Sequence, residues 1–315
     1  GDAELISLDR YVEDVKMSRS LTEENLPLIA IIPVEGTLMP GDSEEGMAGS
    51  DTINGYIDTA LEAEDLAAIV LRVNSPGGSV FASDLIRRKL REVADADISI
   101  VVSMGTIAAS GGYWIAAEAD EIWALPTTLT GSIGAFSAFP TIEGIVEYIG
   151  VTVDGVGTTP LAGAASLNRG LSPEMASIVQ ALAYGAYDDF IELVASGRDM
   201  SEQAVREVAD GLVWTGAEAA ERGLVDELGG LDEAVAAAAR LAGVEEWRTA
   251  RTRLPPSFES VLLQELSRSF GMVAAPLGGW FESLVSAFKP AIKSLSSLRD
   301  PMHVYAQCLP CAPLL

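Results

Sequence analysis

The chain alternates short apolar runs with amphipathic stretches, which is typical of an α/β protein. Apolar runs of strand length, rich in β-branched residues, lie at residues 28–34, 67–73 and 98–103. Their length and composition favour buried strands over helices. Residues 52–63 read as a helix, and residues 80–93 carry apolar side chains on one helical stripe. Because strands and helices alternate without hairpin turns, we predict a parallel sheet covered by helices.

The second half of the chain shows clear helix starts. Ser172 precedes a proline and a glutamate, which suits the first turn of a helix that continues to about Val194. A second helix is predicted from Ser201. The segment from Thr215 to Glu218 forms a capping box, and an alanine-rich helix is predicted over residues 231–241.

Three segments follow from these patterns. Residues 1–25 are polar and read as a lead-in or linker, and residues 26–250 form the main α/β domain. The pair Pro255-Pro256 marks a boundary. Residues 251–315 read as a mainly helical C-terminal extension and tail. Its apolar stripe lacks the basic face of a membrane-surface helix, so we expect it to pack on a neighbouring subunit.

Composition and charge exclude several functions. The chain has 315 residues with 20 basic and 46 acidic side chains, a net charge of −26. This charge repels phosphate backbones and argues against a general nucleic-acid binder. One histidine and two cysteines exclude a multi-histidine metal site and a disulfide framework, so no metal or cofactor is expected. The pair Cys308 and Cys311 leaves a local disulfide and two free thiols equally open.

The start of the chain indicates a processed or partial protein. It begins with Gly1, and no charged-then-apolar leader follows. No uninterrupted apolar run reaches the roughly 18 residues needed to span a bilayer. We therefore expect an anchor or leader upstream of this chain.

The first candidate for chemistry is a glycine pair after a strand, in the segment from Ser75 to Ser79. Gly77 and Gly78 follow a proline, and their backbone N–H groups are free of side-chain cover. Such groups can bind an oxyanion. The alternative is a plain strand-to-helix turn. The segment is not a phosphate loop, because the Gly-Lys-Ser/Thr ending is absent.

The second candidate is Ser110, which follows two alanines and precedes two glycines where a helix is predicted to begin. The N–H of Gly111 would lie close to an oxyanion formed on this serine. The alternative is a capping serine with glycines for close packing. Together, the two glycine-rich segments favour a serine nucleophile with a two-donor oxyanion hole.

The residues alone do not identify a base for this serine. The one histidine, His303, lies beyond the proline boundary and is expected at the surface, which disfavours a Ser-His-Asp triad. A Ser-Lys dyad would need a lysine that is neutral near pH 7. The chain has four lysines, and Lys89 lies among arginines on a charged helix, where a solvated face is the better interpretation.

Several motifs in order resemble the signal peptide peptidase A family in its long form, also called protease IV. The likeness covers about residues 27–247 and resumes weakly at residues 300–311. The motifs are Val73-Asn-Ser-Pro-Gly-Gly-Ser79, Ser103-Met-Gly through Ala-Ala-Ser110-Gly-Gly-Tyr-Trp114, Leu129-Thr-Gly-Ser132-Ile-Gly134, Val213-Trp-Thr-Gly216 and Gly223-Leu-Val-Asp226.

The resemblance implies a crotonase- and Clp-protease-like fold, with a spiralled parallel sheet and flanking helices. It implies a serine–lysine dyad that cleaves peptides, chiefly leader peptides already released from exported proteins. The serine would be the nucleophile, two glycine amides would hold the oxyanion, and a second serine would orient the lysine. In this chain, the resemblance assigns the nucleophile to Ser110, the two oxyanion amides to Gly78 and Gly111, and the lysine-orienting serine to Ser132. Gly77 and Ser79 are expected to contact the substrate.

The expected lysine is missing at its short-form position. Short-form relatives carry it in the segment that here spans residues 157–163, which has none. In the long form, the first half supplies the lysine and the second half the serine, and this chain is similar to the second half. The resemblance therefore implies a homo-oligomer with a separate N-terminal half, anchored upstream on the periplasmic side of a bacterial inner membrane.

Two other functions stay open at this stage. A crotonase-like enzyme acting on acyl thioesters would also need an oxyanion hole, but no nucleophilic serine. A non-catalytic module would only assemble a partner. The position of Ser110 favours the peptidase over both.

Overall fold

The computed structural model describes residues 26–159, 161–164, 166–252, 300–308 and 311. The predicted lead-in and the helical part of the predicted extension lie outside these residues.

The larger sheet has eight strands and is mostly parallel, as predicted. Its main path runs in the order β10 (Val213–Thr215), β8 (Leu129–Gly131), β6 (Ser99–Ala109), β4 (Leu66–Ser75), β1 (Leu28–Glu35) and β12 (Arg248–Arg251). Beside this path, β7 (Glu121–Ala124) pairs with β6 and with β11 (Glu227–Leu228). The antiparallel pair of β10 and β8 is the exception on the main path.

The long strand β6 divides the sheet. Residues 101–103 pair with β7, whereas residues 107–109 pair with β8. The sequence predicts a strand over residues 98–103, followed by a small, glycine-rich segment from Gly105 to Gly112, and the predicted end of the strand is wrong. Ile107 and Ala109 are fully buried, so continued pairing satisfies backbone groups that a buried loop would leave without partners. The extension carries the chain directly to Ser110.

Eight helices lie within the described residues. They are α1 (Ser50–Leu61), α2 (Val80–Asp95), α3 (Gly111–Trp114), α4 (Glu143–Tyr148), α5 (Pro173–Gly197), α6 (Glu202–Val208), α7 (Gly216–Glu221) and α8 (Leu231–Leu241). Ser172 and Ser201 cap α5 and α6, and Thr215 and Glu218 form the predicted capping box. In the described part of the chain, no helix has the length and apolar character to cross a bilayer.

The core lies on both faces of the larger sheet. On one face, α1, α2, α3 and α5 pack against inward residues such as Ile32, Leu71 and Val102. On the other face, the alanine side of α8 packs against residues such as Val70 and Val101. Small alanine side chains let this helix lie close to the strands. The predicted layering of helices on a parallel sheet is therefore present.

A second, smaller sheet has no counterpart in the predictions. Its order is β3 (Met47–Gly49), β2 (Thr37–Met39), β5 (Gly77–Ser79), β13 (Val304–Gln307) and β9 (Phe136–Ser137). The sequence predicts a loop over residues 35–50, where β2 and β3 lie. Strands of two to four residues are too short to show an alternating pattern, and their partners are distant along the chain.

Candidate active site

Ser110 lies in the sharp turn between β6 and α3. Its backbone has φ 55° and ψ −117°, a region that residues with a side chain rarely adopt. Three hydrogen bonds hold it there: its N–H donates to the Gly131 oxygen, and its carbonyl accepts from the N–H groups of Tyr113 and Trp114, each at 2.8 Å. The turn therefore fixes the serine at the end of a central strand, as is typical of strand-to-helix nucleophiles.

The two glycine-rich segments meet beside this serine, as the sequence predicts. A Cβ atom on Gly77 would lie 2.5 Å from the Gly111 nitrogen, and a Cβ atom on Gly111 would lie 3.2 Å from the Gly77 Cα. A Cβ on Gly111 would also come within 2.7 Å of the Ser83 hydroxyl. These glycines therefore permit the two segments to pack closely against each other.

Gly78 is confined by the neighbouring strand. It lies opposite Leu38 of β2, and an added Cβ would come within 2.1 Å of the Leu38 carbonyl oxygen. Since that neighbour is backbone within a sheet, no side chain fits at this position without moving a strand.

Ser132 lines the same cavity as Ser110. This cavity has a volume of about 510 Å³ and also contacts Phe136, Tyr187 and Asp210. Ser132 has φ 50°, and its N–H donates to the Leu212 oxygen at 2.7 Å. The structure thus brings together the two serines that the resemblance assigns to the site.

Two polar cavity residues, Tyr187 and Asp210, were not predicted. The Tyr187 hydroxyl donates to Oδ1 of Asp210 at 2.8 Å. Burial and this hydrogen bond raise the pKa of Tyr187, so the phenol stays neutral. Tyr187 lies within the long helix α5, where its sequence context gives no sign that it faces a cavity.

Lys89 is unsuited to act as a base. It is the one lysine in the described part of the chain, and its Nζ lies 2.7 Å from Asp58 Oδ1 and 2.6 Å from Glu92 Oε2. Hydrogen bonds to these two carboxylates raise the pKa of Lys89 and keep it charged. The predicted solvated, charged face agrees with this pairing.

His303 lies partly at the surface, so the predicted surface position is confirmed only in part. It is half-buried, and its ring centroid lies 4.8 Å from that of Phe139. His303 directly precedes β13, which is a strand of the smaller sheet. The histidine does not line the cavity that contains Ser110.

The Ser79 side chain is engaged in structure. Its hydroxyl accepts from the Ala82 N–H at 3.0 Å, which caps α2, and donates to Oδ2 of the buried Asp300 at 2.5 Å. The Ser79 carbonyl accepts from the Ser83 hydroxyl at 2.8 Å, and Ser79 lies opposite Tyr305 of β13, so this structure leaves Ser79 no free group for the predicted contact with substrate.

The C-terminal strand β13 lies over the glycine pair. It runs antiparallel to β5, with Ala306 opposite Gly78, and antiparallel to β9 on its other side. Just beyond it, Cys308 and Cys311 form a disulfide, one of the two alternatives that the sequence leaves open. Cys308 and Cys311 are buried with Ile107 and Ala109, next to the turn that contains Ser110.

The chain is similar to known peptidases. The family model for peptidase family S49 matches residues 92–245. Protease 4 of Salmonella typhi is 42% identical over 294 residues, covering 90% of this chain and 47% of the relative. Protease 4 of Haemophilus influenzae is 37% identical, covering 99% and 51%. A putative protease of Synechocystis is 37% identical over 217 residues, covering 69% of this chain and 75% of that protein.

Among solved structures, a ClpP1 mutant from Listeria monocytogenes aligns with a TM-score of 0.41 at 15% identity, covering 65% of this chain and 94% of that chain. The chain spans about half the length of the two protease 4 relatives. Its match to the Synechocystis protein extends over most of that relative. From the family match and these relatives, the chain belongs to peptidase family S49, in the group that includes protease 4 and SppA.

Proposed function

We propose that Ser110 attacks the carbonyl carbon of a peptide bond and that the N–H groups of Gly78 and Gly111 stabilise the oxyanion. This proposal is supported by one observation: the glycine-rich segments that contain Gly77 and Gly111 meet beside Ser110, which lies in a constrained turn. One such donor is typically worth a factor of about 10² to 10³ in kcat. The C–N bond then breaks and the amine half of the peptide leaves with the proton taken from Ser110, and water hydrolyses the acyl-enzyme to release the acid half and restore the serine hydroxyl.

The proposed base is a lysine from outside the described residues. Lys89 is paired and charged, and the relatives named protease 4 are about twice as long as this chain. A neutral lysine amine entering the cavity would accept the Ser110 proton, and the Ser132 hydroxyl would orient that amine. An N-terminal half of the same protein is the proposed source.

The proposed substrates are extended peptides, chiefly leader peptides already released from exported proteins. One relative, from Enterococcus faecium, is described as a putative signal peptide peptidase SppA and is 37% identical over 174 residues. Extended peptides bind by pairing with a strand, and the proposed partner strand is β5, which pairs with β13 in this structure.

The proposed setting is a homo-oligomer attached to the periplasmic side of a bacterial inner membrane through a segment upstream of this chain. The region after β9 supports assembly, since Ile145, Tyr148 and Val156 expose large apolar side chains there. Covering such side chains stabilises contacts between subunits.

The test is peptide cleavage by the protein in its full natural length. Ser110→Ala should abolish cleavage, whereas Ser177→Ala, a control on the exposed surface of α5, should leave it unchanged. Unchanged cleavage by Ser110→Ala would favour a non-catalytic role for this chain. A thioester enzyme would show acyl-thioester turnover that survives Ser110→Ala.

A further inference from the structure

The strand that carries the oxyanion glycines has neighbours on both sides. On one side β5 pairs with β2, and on the other it pairs with β13, with Tyr305, Ala306 and Gln307 opposite Ser79, Gly78 and Gly77. The edge at which a substrate strand would pair is therefore already filled by residues of this chain.

The carbonyl of Ala306 lies at the oxyanion site. A Cβ on Gly77 would meet the Ala306 oxygen at 2.1 Å, and a Cβ on Gly111 would meet it at 3.0 Å. The Cys308 N–H donates to the Pro76 oxygen at 2.7 Å. Because hydrogen-bonded pairs alternate along an antiparallel ladder, Ala306 and Gly78 form the next such pair, and the Gly78 N–H points at the Ala306 oxygen.

The residue after Ala306 lies on the side of the cavity. Gln307 lines the cavity that contains Ser110 and Ser132, whereas Ala306 itself is fully buried. The bond between Ala306 and Gln307 thus stands beside the serine with its carbonyl at the glycine amides. A peptide about to be cleaved would take this register.

Hydrogen bonds hold the residues before β13, and a disulfide holds the residues after it. Before it, the buried Asp300 carboxylate accepts hydrogen bonds from the Ser79 hydroxyl and the Phe81 N–H at the start of α2. It also accepts from the N–H groups of Met302 and Val304 in its own segment. After it, Cys308 and Cys311 form a buried disulfide that packs against Ile107 and Ala109, at the end of β6.

We propose that residues 300–308 are an internal peptide ligand that fills the substrate groove and that a substrate must displace. The inference rests on the proposed function in one respect, that the groove beside β5 receives peptides. It also defines a substrate class: extended peptides with a small residue, in the place of Ala306, before the cleaved bond. The segment therefore limits access to Ser110 and shows the register of the bound substrate.

A binding experiment tests this with a probe of known sequence. The probe is a fluorescein-labelled peptide with the sequence of residues 300–307, and all proteins carry Ser110→Ala so that nothing is cleaved. The first variant ends at residue 299. The second keeps the whole chain but carries Ala306→Pro, which removes the N–H that pairs with Gly78 and breaks the ladder.

Both variants should bind the probe at least about tenfold more tightly than the unaltered chain, because only the open fraction of the groove binds. A probe with proline in place of alanine should not bind. Equal binding by all three proteins, or no binding by folded variants, would overturn the inference. So would loss of the folded core in both variants, since β13 would then be a permanent part of the fold.

This result is independent of catalysis. If the variants bind the probe but the full-length protein cleaves no peptide, the proposed function fails and the internal ligand stands. If the protein cleaves peptides but the variants gain no binding, the internal ligand fails and the peptidase stands.

Discussion

At the scale of single residues, the site depends on backbone positions that only particular side chains permit. Ser110 holds an unfavourable φ because the residues on both sides of it are fixed in β6 and α3. Gly78 has no side chain because a neighbouring strand occupies that space. The proposed chemistry thus relies on a serine with a strained backbone and on glycines that lie close to neighbouring strands.

Gly78→Ala should damage both stability and reactivity. The new methyl group would lie 2.1 Å from the Leu38 oxygen, so β2 and β5 must separate, at a cost of about 1–3 kcal/mol. Urea denaturation should show the loss, and fluorophosphonate labelling of Ser110 in the full-length protein should slow. Gly144→Ala is the matched control, because its Cβ meets nothing within 4 Å. Equal behaviour of the two variants would contradict this account of Gly78.

Lys89→Met should leave peptide cleavage by the full-length protein unchanged. The lysine is held by Asp58 and Glu92, and those ion pairs keep its pKa raised and the amine protonated. Loss of these surface pairs should cost less than about 1 kcal/mol, measured by urea denaturation. If cleavage fell more than tenfold in a variant that keeps its stability, Lys89 would be the base and the proposal of an outside lysine would be wrong.

At the scale of elements, the sequence predicts the strands and helices that are long enough to show a periodic pattern of apolar residues. The strands β1 and β4 and the helices α2, α5 and α8 follow from apolar runs, stripes and caps. The short strands β2, β5, β9 and β13 were missed, because two to four residues show no period. The position of β13 depends on a contact between Asp300 and Ser79, 221 residues apart, which one sequence does not reveal.

In the candidate site, too, some residues were predicted from the sequence and others were missed. Ser110 and the glycines were predictable because local chain geometry requires those residue types at the ends of strands. Tyr187 was not, because α5 carries exposed and half-buried polar residues on several sides and only packing decides which of them face the cavity. Asp210 was not, because it lies in a turn after α6 whose position depends on the fold. The pairing of β13 with β5 was also not predicted, because these two strands are far apart in the sequence.

Ser79→Ala should destabilise the protein more than Ser201→Ala. Both serines cap a helix, and loss of a cap costs about 1 kcal/mol. Ser79 also donates to the buried Asp300, and a hydrogen bond to a charged group adds about 1.5–3 kcal/mol. Chemical denaturation of the two variants measures the difference. Equal losses would mean that the Asp300 contact contributes nothing to stability.

At the scale of the whole molecule, charge and length are the dominant features. The net charge of −26 places the folded chain under self-repulsion, which dissolved salt screens. The chain also spans about half of the protease 4 relatives that it matches. The proposed catalytic centre is accordingly a composite, with the nucleophile here and the base elsewhere.

Raising NaCl from about 0.02 to 0.5 M should raise the melting temperature of the chain, because the Debye length falls from about 20 Å to about 4 Å and the repulsion among acidic side chains is screened. Differential scanning calorimetry at constant protein concentration measures the shift. A melting temperature that is unchanged or lower at the higher salt concentration would show that self-repulsion does not limit stability.

The most direct test of the central claim is to map where a fluorophosphonate probe reacts in the full-length protein. The account predicts a single adduct on Ser110, found by mass spectrometry of proteolytic fragments, and its loss together with peptide cleavage in Ser110→Ala. An adduct on Ser132 or another serine, in a preparation that cleaves peptides, would contradict it.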